Sequence, residues 1–325
     1  PVHAVKYSAS PGSYILTGSG DRSIRLYNPF SNIPVPEPPS GTKPAIPQGR
    51  LIQTYSAHGY EVLSLDVAGD NEKFVSGGGD RSVFLWDVAT AVTTRRFGGN
   101  VHGHSARINC VSFAGDGDSL VSGSVKPIQV LSEARDAITS LVVRGPEVVT
   151  GSVDGRVRSY DVRMGKCTTD VMGASITSLS LTKDGRSMLV GTLDSKMRLM
   201  DREKGTCLRA YSDPIWKNEE IRVQSLLGHR EKYVIAGDEM ASEPGNTGEG
   251  RIWAWDLLTG KVVAKVKVPW GPQGYEQKKK AIGRDGKERI RSNVISCLAW
   301  REDGWGDQFC VGGSSGVKAK MYAFN

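Results

Sequence analysis

The stretch SGGGDRSVFLWD (76–87) decides the fold. A small-Gly step, an acidic turn residue and an alternating strand ending in an aromatic-Asp pair outline one hairpin of a larger sheet. The same outline recurs as TGSGDRSIRLYN (17–28), TGSVDGRVRSYD (150–161) and VGTLDSKMRLMD (190–201). Degenerate copies are SGSV (122–125), AGDE with RIWAWD (236–239 and 251–256) and VGGSSGVKAKMY (311–322), which makes seven. A unit that cannot bury its own face must stack on neighbours, so these repeats predict seven sheets set radially.

Spacing adds detail. The glycine of each copy stands at 18, 77, 123, 151, 191, 237 and 312, in steps of 59, 46, 28, 40, 46 and 75 residues. Against a repeat of roughly 40–45 residues, the long steps hold insertions and the 28-residue step lacks a strand and its turn. That deficit predicts missing residues between Val125 and Lys126, leaving the third unit incomplete. The last unit stops after its third strand, so a strand preceding Pro1 is expected to complete it and close the ring.

Composition agrees with an all-β fold. Among 325 residues 38% are hydrophobic and 39 are Gly, without Leu-rich helical runs. No apolar run approaches the roughly 18 residues of a membrane helix, and no secretory segment is visible, so no membrane partner is expected. Cys110, Cys167, Cys207, Cys297 and Cys310 form no CxxC pair, so neither disulfides nor a metal site is signalled and burial is expected for all five. No cofactor motif emerges. SGGGD (76–80) lacks the Lys-Ser/Thr of a phosphate loop and is followed by a strand.

His58, Ser76 and Asp80 carry the residue types of a nucleophilic triad. The repeats, however, resemble those of WD40 proteins from end to end. That resemblance implies an all-β, seven-bladed WD40 β-propeller forming a single domain over 1–325. It also implies that His58, Ser76, Asp80 and Trp86 form a structural tetrad, with His104 and Ser122 kept from a second one. No residue is assigned to catalysis, and the chain is read as no enzyme.

Two insertions are individual. PFSNIPVPEPPSGTKPAIPQG (29–49) holds seven prolines and falls between the third and fourth strands of unit one, on the lower face. The second, 269–293, precedes the first strand of unit seven and so lies on the upper face. Its segment EQKKKAIGRDGKERIR (276–291) holds seven Lys or Arg against three acids, supplying +4 of the chain's net +7. Lys278, Lys279, Lys280, Arg284, Arg289 and Arg291 are therefore candidates for contact with acidic protein or RNA phosphate. Base stacking is not supported, since Tyr275 is the one aromatic nearby. Further upper-face candidates are Tyr60, Arg107, Arg135 and Asp136.

Four stretches are more distinctive: YSAHGYEVLSLDV (55–67), SGGGDRSVFLWDVAT (76–90), LSEARDAITSL (131–141) and GSVDGRVRSYDVRMGK (151–166). They resemble the WD-repeat mitogen-activated protein kinase organizer family, whose members are also found in spliceosomes. The resemblance implies a scaffold for protein assembly, in pre-mRNA splicing and in a kinase cascade. It further implies a monomer within its complex, in nucleus and cytoplasm. Tyr160-Asp161-Val162-Arg163 resembles a WDxR box with Tyr for Trp, so the alternative is a substrate receptor of a cullin ubiquitin ligase.

Overall fold

Alternating apolar and polar residues make antiparallel hairpins of each repeat, and the hairpins join in chain order. The computed structural model describes residues 1–29, 49–98, 104–115, 117, 119–123, 134, 136–239, 249–268, 280–282, 288–290, 293–302, 308–314 and 316–321. The first sheet joins β1 (Val2–Tyr7), β2 (Ile15–Ser19), β3 (Ser23–Asn28) and β4 (Arg50–Ser56). The next joins β5 (Val62–Val67), β6 (Lys73–Gly78), β7 (Ser82–Asp87) and β8 (Thr93–Gly98). A pair follows, β9 (Cys110–Ala114) with β10 (Ser119–Gly123). Then come β11 (Ile138–Arg144), β12 (Glu147–Ser152), β13 (Arg156–Asp161) and β14 (Lys166–Val171). Another sheet joins β15 (Ile176–Leu181), β16 (Ser187–Thr192), β17 (Lys196–Asp201) and β18 (Cys207–Tyr211). β19 (Ser225–Gly228), β20 (Tyr233–Gly237), β21 (Gly250–Asp256) and β22 (Val262–Val268) form the next. A hairpin, β23 (Lys280–Ile282) with β24 (Glu288–Ile290), precedes the three-stranded β25 (Ile295–Arg301), β26 (Gln308–Gly313) and β27 (Gly316–Met321).

This corrects the expected seven-bladed architecture. The fold is an all-β propeller, but among the described residues five sheets carry four strands, so five blades are shown rather than seven. The 28-residue step gives the third repeat too little chain for a full blade, and among the described residues the last repeat reaches its third strand at β27. The gap expected between Val125 and Lys126 falls outside the described residues. The strand expected before Pro1 falls outside the chain.

Each sheet's first strand lies innermost. These strands follow one another around an axis, and β25 returns to β1. In five sheets the first strand shifts register near its start, at Val2/Ala4, Val62/Ser64, Ile138/Ser140, Ile176/Ser178 and Ile295/Cys297. Such bulges add twist, which suits a strand nearest the axis. The inner strands enclose a channel of about 660 Å³. Its upper mouth is where they begin and its lower mouth where they end.

The apolar core lies between sheets rather than in the channel. Ala4, Leu16, Ile24 and Tyr55 of the first sheet pack on Val62, Leu65, Phe74 and Trp86 of the next. Tyr55 donates its hydroxyl to the Val88 carbonyl at 3.0 Å, and Tyr211 repeats the device on Leu257 at 2.7 Å. The repeated glycine now has a reason. A Cβ on Gly77 would stand 2.7 Å from Ile108 of the following repeat, and one on Gly312 would stand 2.8 Å from Val2. Contact of that kind is tighter than packed side chains tolerate. At Gly312 it joins the last sheet to the first.

Candidate protein-interaction face

The upper face is built on the turn between the second and third strands of each sheet. In the second sheet His58 Nδ1 lies 2.7 Å from Asp80, His58 Nε2 lies 2.7 Å from Ser76 Oγ, and Trp86 Nε1 donates to Ser76 Oγ at 2.8 Å. One assignment satisfies every group: Trp86 N–H to Ser76, Ser76 O–H to His58 Nε2, and His58 Nδ1–H to the Asp80 carboxylate. Burial alone would raise the Asp80 carboxyl. Hydrogen bonds from His58, Ser82 and Gly59 outweigh that and hold it below the usual range. Ser76 is fully buried between its two partners, so its hydroxyl cannot reach a substrate. His104 Nε2 meets Ser122 Oγ at 2.7 Å beside the two-stranded sheet.

Other sheets solve the same corner with arginine. Arg158 donates to Ser152 Oγ at 3.0 Å and to Asp154 at 2.7 Å, with its side chain buried. Arg198 donates to Thr192 Oγ1 at 2.7 Å and to Asp194 at 2.5 Å, and Arg25 to Asp21 at 2.6 Å. Burial would raise Asp194, but Arg198 and Thr192 hold it low. Asp-x-x-x-Arg is visible in DRSIR (21–25), DGRVR (154–158) and DSKMR (194–198), while in the tetrad of the second repeat Phe84 holds the arginine's position beside His58. A further variant places Asp238 against Trp253 Nε1 at 2.8 Å and Arg251 Nε at 3.5 Å.

With these polar groups committed to one another, contact with a partner falls to the exposed side chains of the face. Tyr60 is 62% exposed beside a cleft lined by Ala57, Gly59, Gly79, Arg81 and Arg96. Arg107 and Asp136 are also exposed, and Asp136 accepts the Ala137 N–H at 2.7 Å. Arg135, Lys278, Lys279, Arg284 and Arg291 lie outside the described residues. Lys280 and Arg289 fall on β23 and β24, where Lys280 pairs with Ile290 and Arg289 with Ala281. Reading the insertion as a plain basic loop missed this hairpin, whose turn signal is GRDG (283–286). Cys110, Cys297 and Cys310 are buried, which raises all three thiols, but Cys167 and Cys207 stand exposed on β14 and β18 against expectation. Those strands are the outermost of their sheets, and nearly all of their residues face solvent. Among the described residues no cluster of His, Cys, Asp and Glu could hold a metal, and no helix is long and apolar enough to cross a membrane.

Comparison with known proteins places this architecture. The WD domain, G-beta repeat family matches residues 1–28, 49–87 and 95–126. WD repeat domain-containing protein 83 of Rattus norvegicus is 35% identical over 277 residues, covering 82% of this chain and 79% of its own length. The chain belongs to the WD repeat domain-containing protein 83 family. Its homolog in Dictyostelium discoideum is 28% identical over 305 residues, covering 82% of this chain and 84% of that protein. An uncharacterized WD repeat-containing protein of Schizosaccharomyces pombe is 34% identical over 282 residues, covering 84% and 85%. The WD repeat domain-containing protein 83 family is the kinase-organizer family that the four distinctive stretches resemble.

Proposed function

We propose that the chain is a non-enzymatic scaffold that holds other proteins against the upper face of one continuous ring. One observation carries this reading: Ser76, His58 and Asp80 are used up on one another and Trp86, while Tyr60, Arg107 and Asp136 stand exposed on the same side. Rigid sheets with exposed connecting loops are the usual setting for recognition. Splicing and kinase-cascade assembly form the finer reading, supported by the resemblance carried by 55–67 and 131–141. With it go residence in nucleus and cytoplasm and a monomer within the complex. The cullin-receptor alternative rests on the sequence of its box alone, in which Tyr160 is buried and Asp161 accepts the N–H groups of Arg163 and Met164 within a tight turn.

Affinity purification of the tagged chain from nuclear extract, with and without RNase, tests the finer reading. Splicing proteins should be retained in both arms, and their absence from both would remove splicing from the proposal. Replacing Lys278, Lys279, Lys280, Arg284, Arg289 and Arg291 with Ser should leave the melting temperature nearly unchanged and weaken retention, most at low salt, where the wild-type contacts are strongest. Wild-type yield across the salt series would return the insertion to a solvated loop.

A further inference from the structure

Arg222 crosses the upper mouth of the channel. It sits in the segment leading into β19, which is held from two sides. Glu239 accepts the N–H groups of Glu219, Glu220 and Ile221 at 2.7, 3.0 and 3.2 Å, and Gln224 bonds Ser296 O through its backbone N–H and Leu298 N through its side chain, both at 3.0 Å. From there the guanidinium donates Nε to Thr177 O at 3.3 Å and Nη1 to Asn109 O at 3.0 Å. The second acceptor belongs to the connection entering β9, so the side chain reaches past the sheets that begin with β15 and β11.

Among the described residues no carboxylate bears on its charge. The groups that bear on it are the thiols of Cys110 and Cys297 and a second cation, Arg107. Burial raises those thiols to about 11 and about 12, so they are neutral and offer no negative charge at pH 7. A guanidinium cannot relieve desolvation by giving up its proton. The channel's acids stand at the other end: Asp66 near the end of β5, Glu231 after β19 and Glu302 after β25. Asp66 pairs with Lys6 at 2.8 Å, and Glu302 with Lys183 at 2.5 Å. At about 3.3 Å per residue, Asp66 lies roughly 13 Å along β5 from its start. Among the described lining residues, Arg222 is thus a cation without a carboxylate, with Nη2 given no protein acceptor.

We propose that the upper mouth of the channel is an oxyanion site, in which Arg222, with Arg107 at the rim, receives a carboxylate or phosphate group carried on a side chain of a partner protein. Two carbonyls fix the guanidinium plane and leave Nη2 for an oxyanion that enters the mouth, a group arginine binds through charge-assisted hydrogen bonds. The protein source of the group rests on the scaffold reading. The site itself does not.

Calorimetric titration of the purified chain with inorganic phosphate, against chloride at constant ionic strength, tests the site without any partner. Saturable binding is expected, at least tenfold weaker in Arg222→Met and weakened severalfold in Arg107→Ser, with melting curves confirming the fold. No saturable binding, or equal binding by Arg222→Met, would overturn the proposal. Should the Met variant fail to fold, Arg222→Lys identifies the Arg222 Nε–H signal in the NMR spectrum by its loss. That signal must move in the wild-type chain on phosphate addition, and a stationary signal overturns the site. A phosphoserine peptide and its glutamate version address the source: each should bind at least tenfold tighter than inorganic phosphate. Equal affinity would refute a partner-borne group while leaving the scaffold reading to co-purification.

Discussion

Replacing Trp86 with Ala removes a side chain that is 1% exposed and packed among Tyr55, Phe74 and Phe84, with ring centroids at 5.7, 5.6 and 5.9 Å. Losing a buried indole costs about 3–5 kcal/mol in transfer and cavity terms. Ser76 Oγ also loses the donor at 2.8 Å, which adds roughly 1 kcal/mol for a buried acceptor left short of a partner. The expected loss of about 4–6 kcal/mol is a large part of the roughly 5–15 kcal/mol that holds a domain folded. With a urea dependence near 3 kcal/mol per molar, the midpoint should fall by about 1.5 M. Trp86→Phe separates the two contributions, since it keeps most of the ring and loses only the N–H; its midpoint should fall by about 0.3–0.5 M. Equilibrium urea unfolding followed by circular dichroism reads both. A shift below about 0.3 M for Trp86→Ala, or equal shifts for the two variants, would refute the account of this corner.

His58→Ala removes hydrogen bonds but little apolar area, so it should cost about 1–3 kcal/mol, less than Trp86→Ala in the same urea series. Asp80, held low in the folded chain, contributes stability that is full above the ordinary carboxylate value of about 3.9 and is lost as pH falls through its depressed folded value. Melting temperatures of the wild type should therefore drop more steeply below about pH 4 than those of Asp80→Asn, and parallel curves would remove Asp80 from the acid response. Purified protein should hydrolyse no nucleotide, ester or peptide. Activity that survives purification and disappears in folded Ser76→Ala would contradict the burial of that hydroxyl.

The parts of the fold legible in the sequence are those written in local chemistry. Ser76, Asp80 and Trp86 lie within one hairpin and His58 just before its sheet, so spacing alone brings them together in a radial arrangement. Strand positions followed from alternation, as in VLSLDV (62–67). The number of four-stranded blades did not follow, because a glycine count registers each hairpin but says nothing of how many strands join it. The arginine corners were overlooked because one repeat was taken as the template, and Phe84 replaces the arginine there. Arg222 carries no local signal at all. Its partners, Thr177 and Asn109, lie 45 and 113 residues away, and only ring geometry brings them to one mouth.

The seam at Gly312 also bears on how the chain is made. Val2 accepts a hydrogen bond from Ser296 across 294 residues, and Arg301 donates to Gly12 across 289. At about 5–20 residues per second, the ribosome needs roughly 15–60 s between producing one side of that seam and producing the other. Throughout that interval Val2 and Val5, buried in the finished protein, have no last sheet to cover them. β1 is thus made long before β25 and β26 arrive to cover it, and its buried face needs chaperone cover until they do.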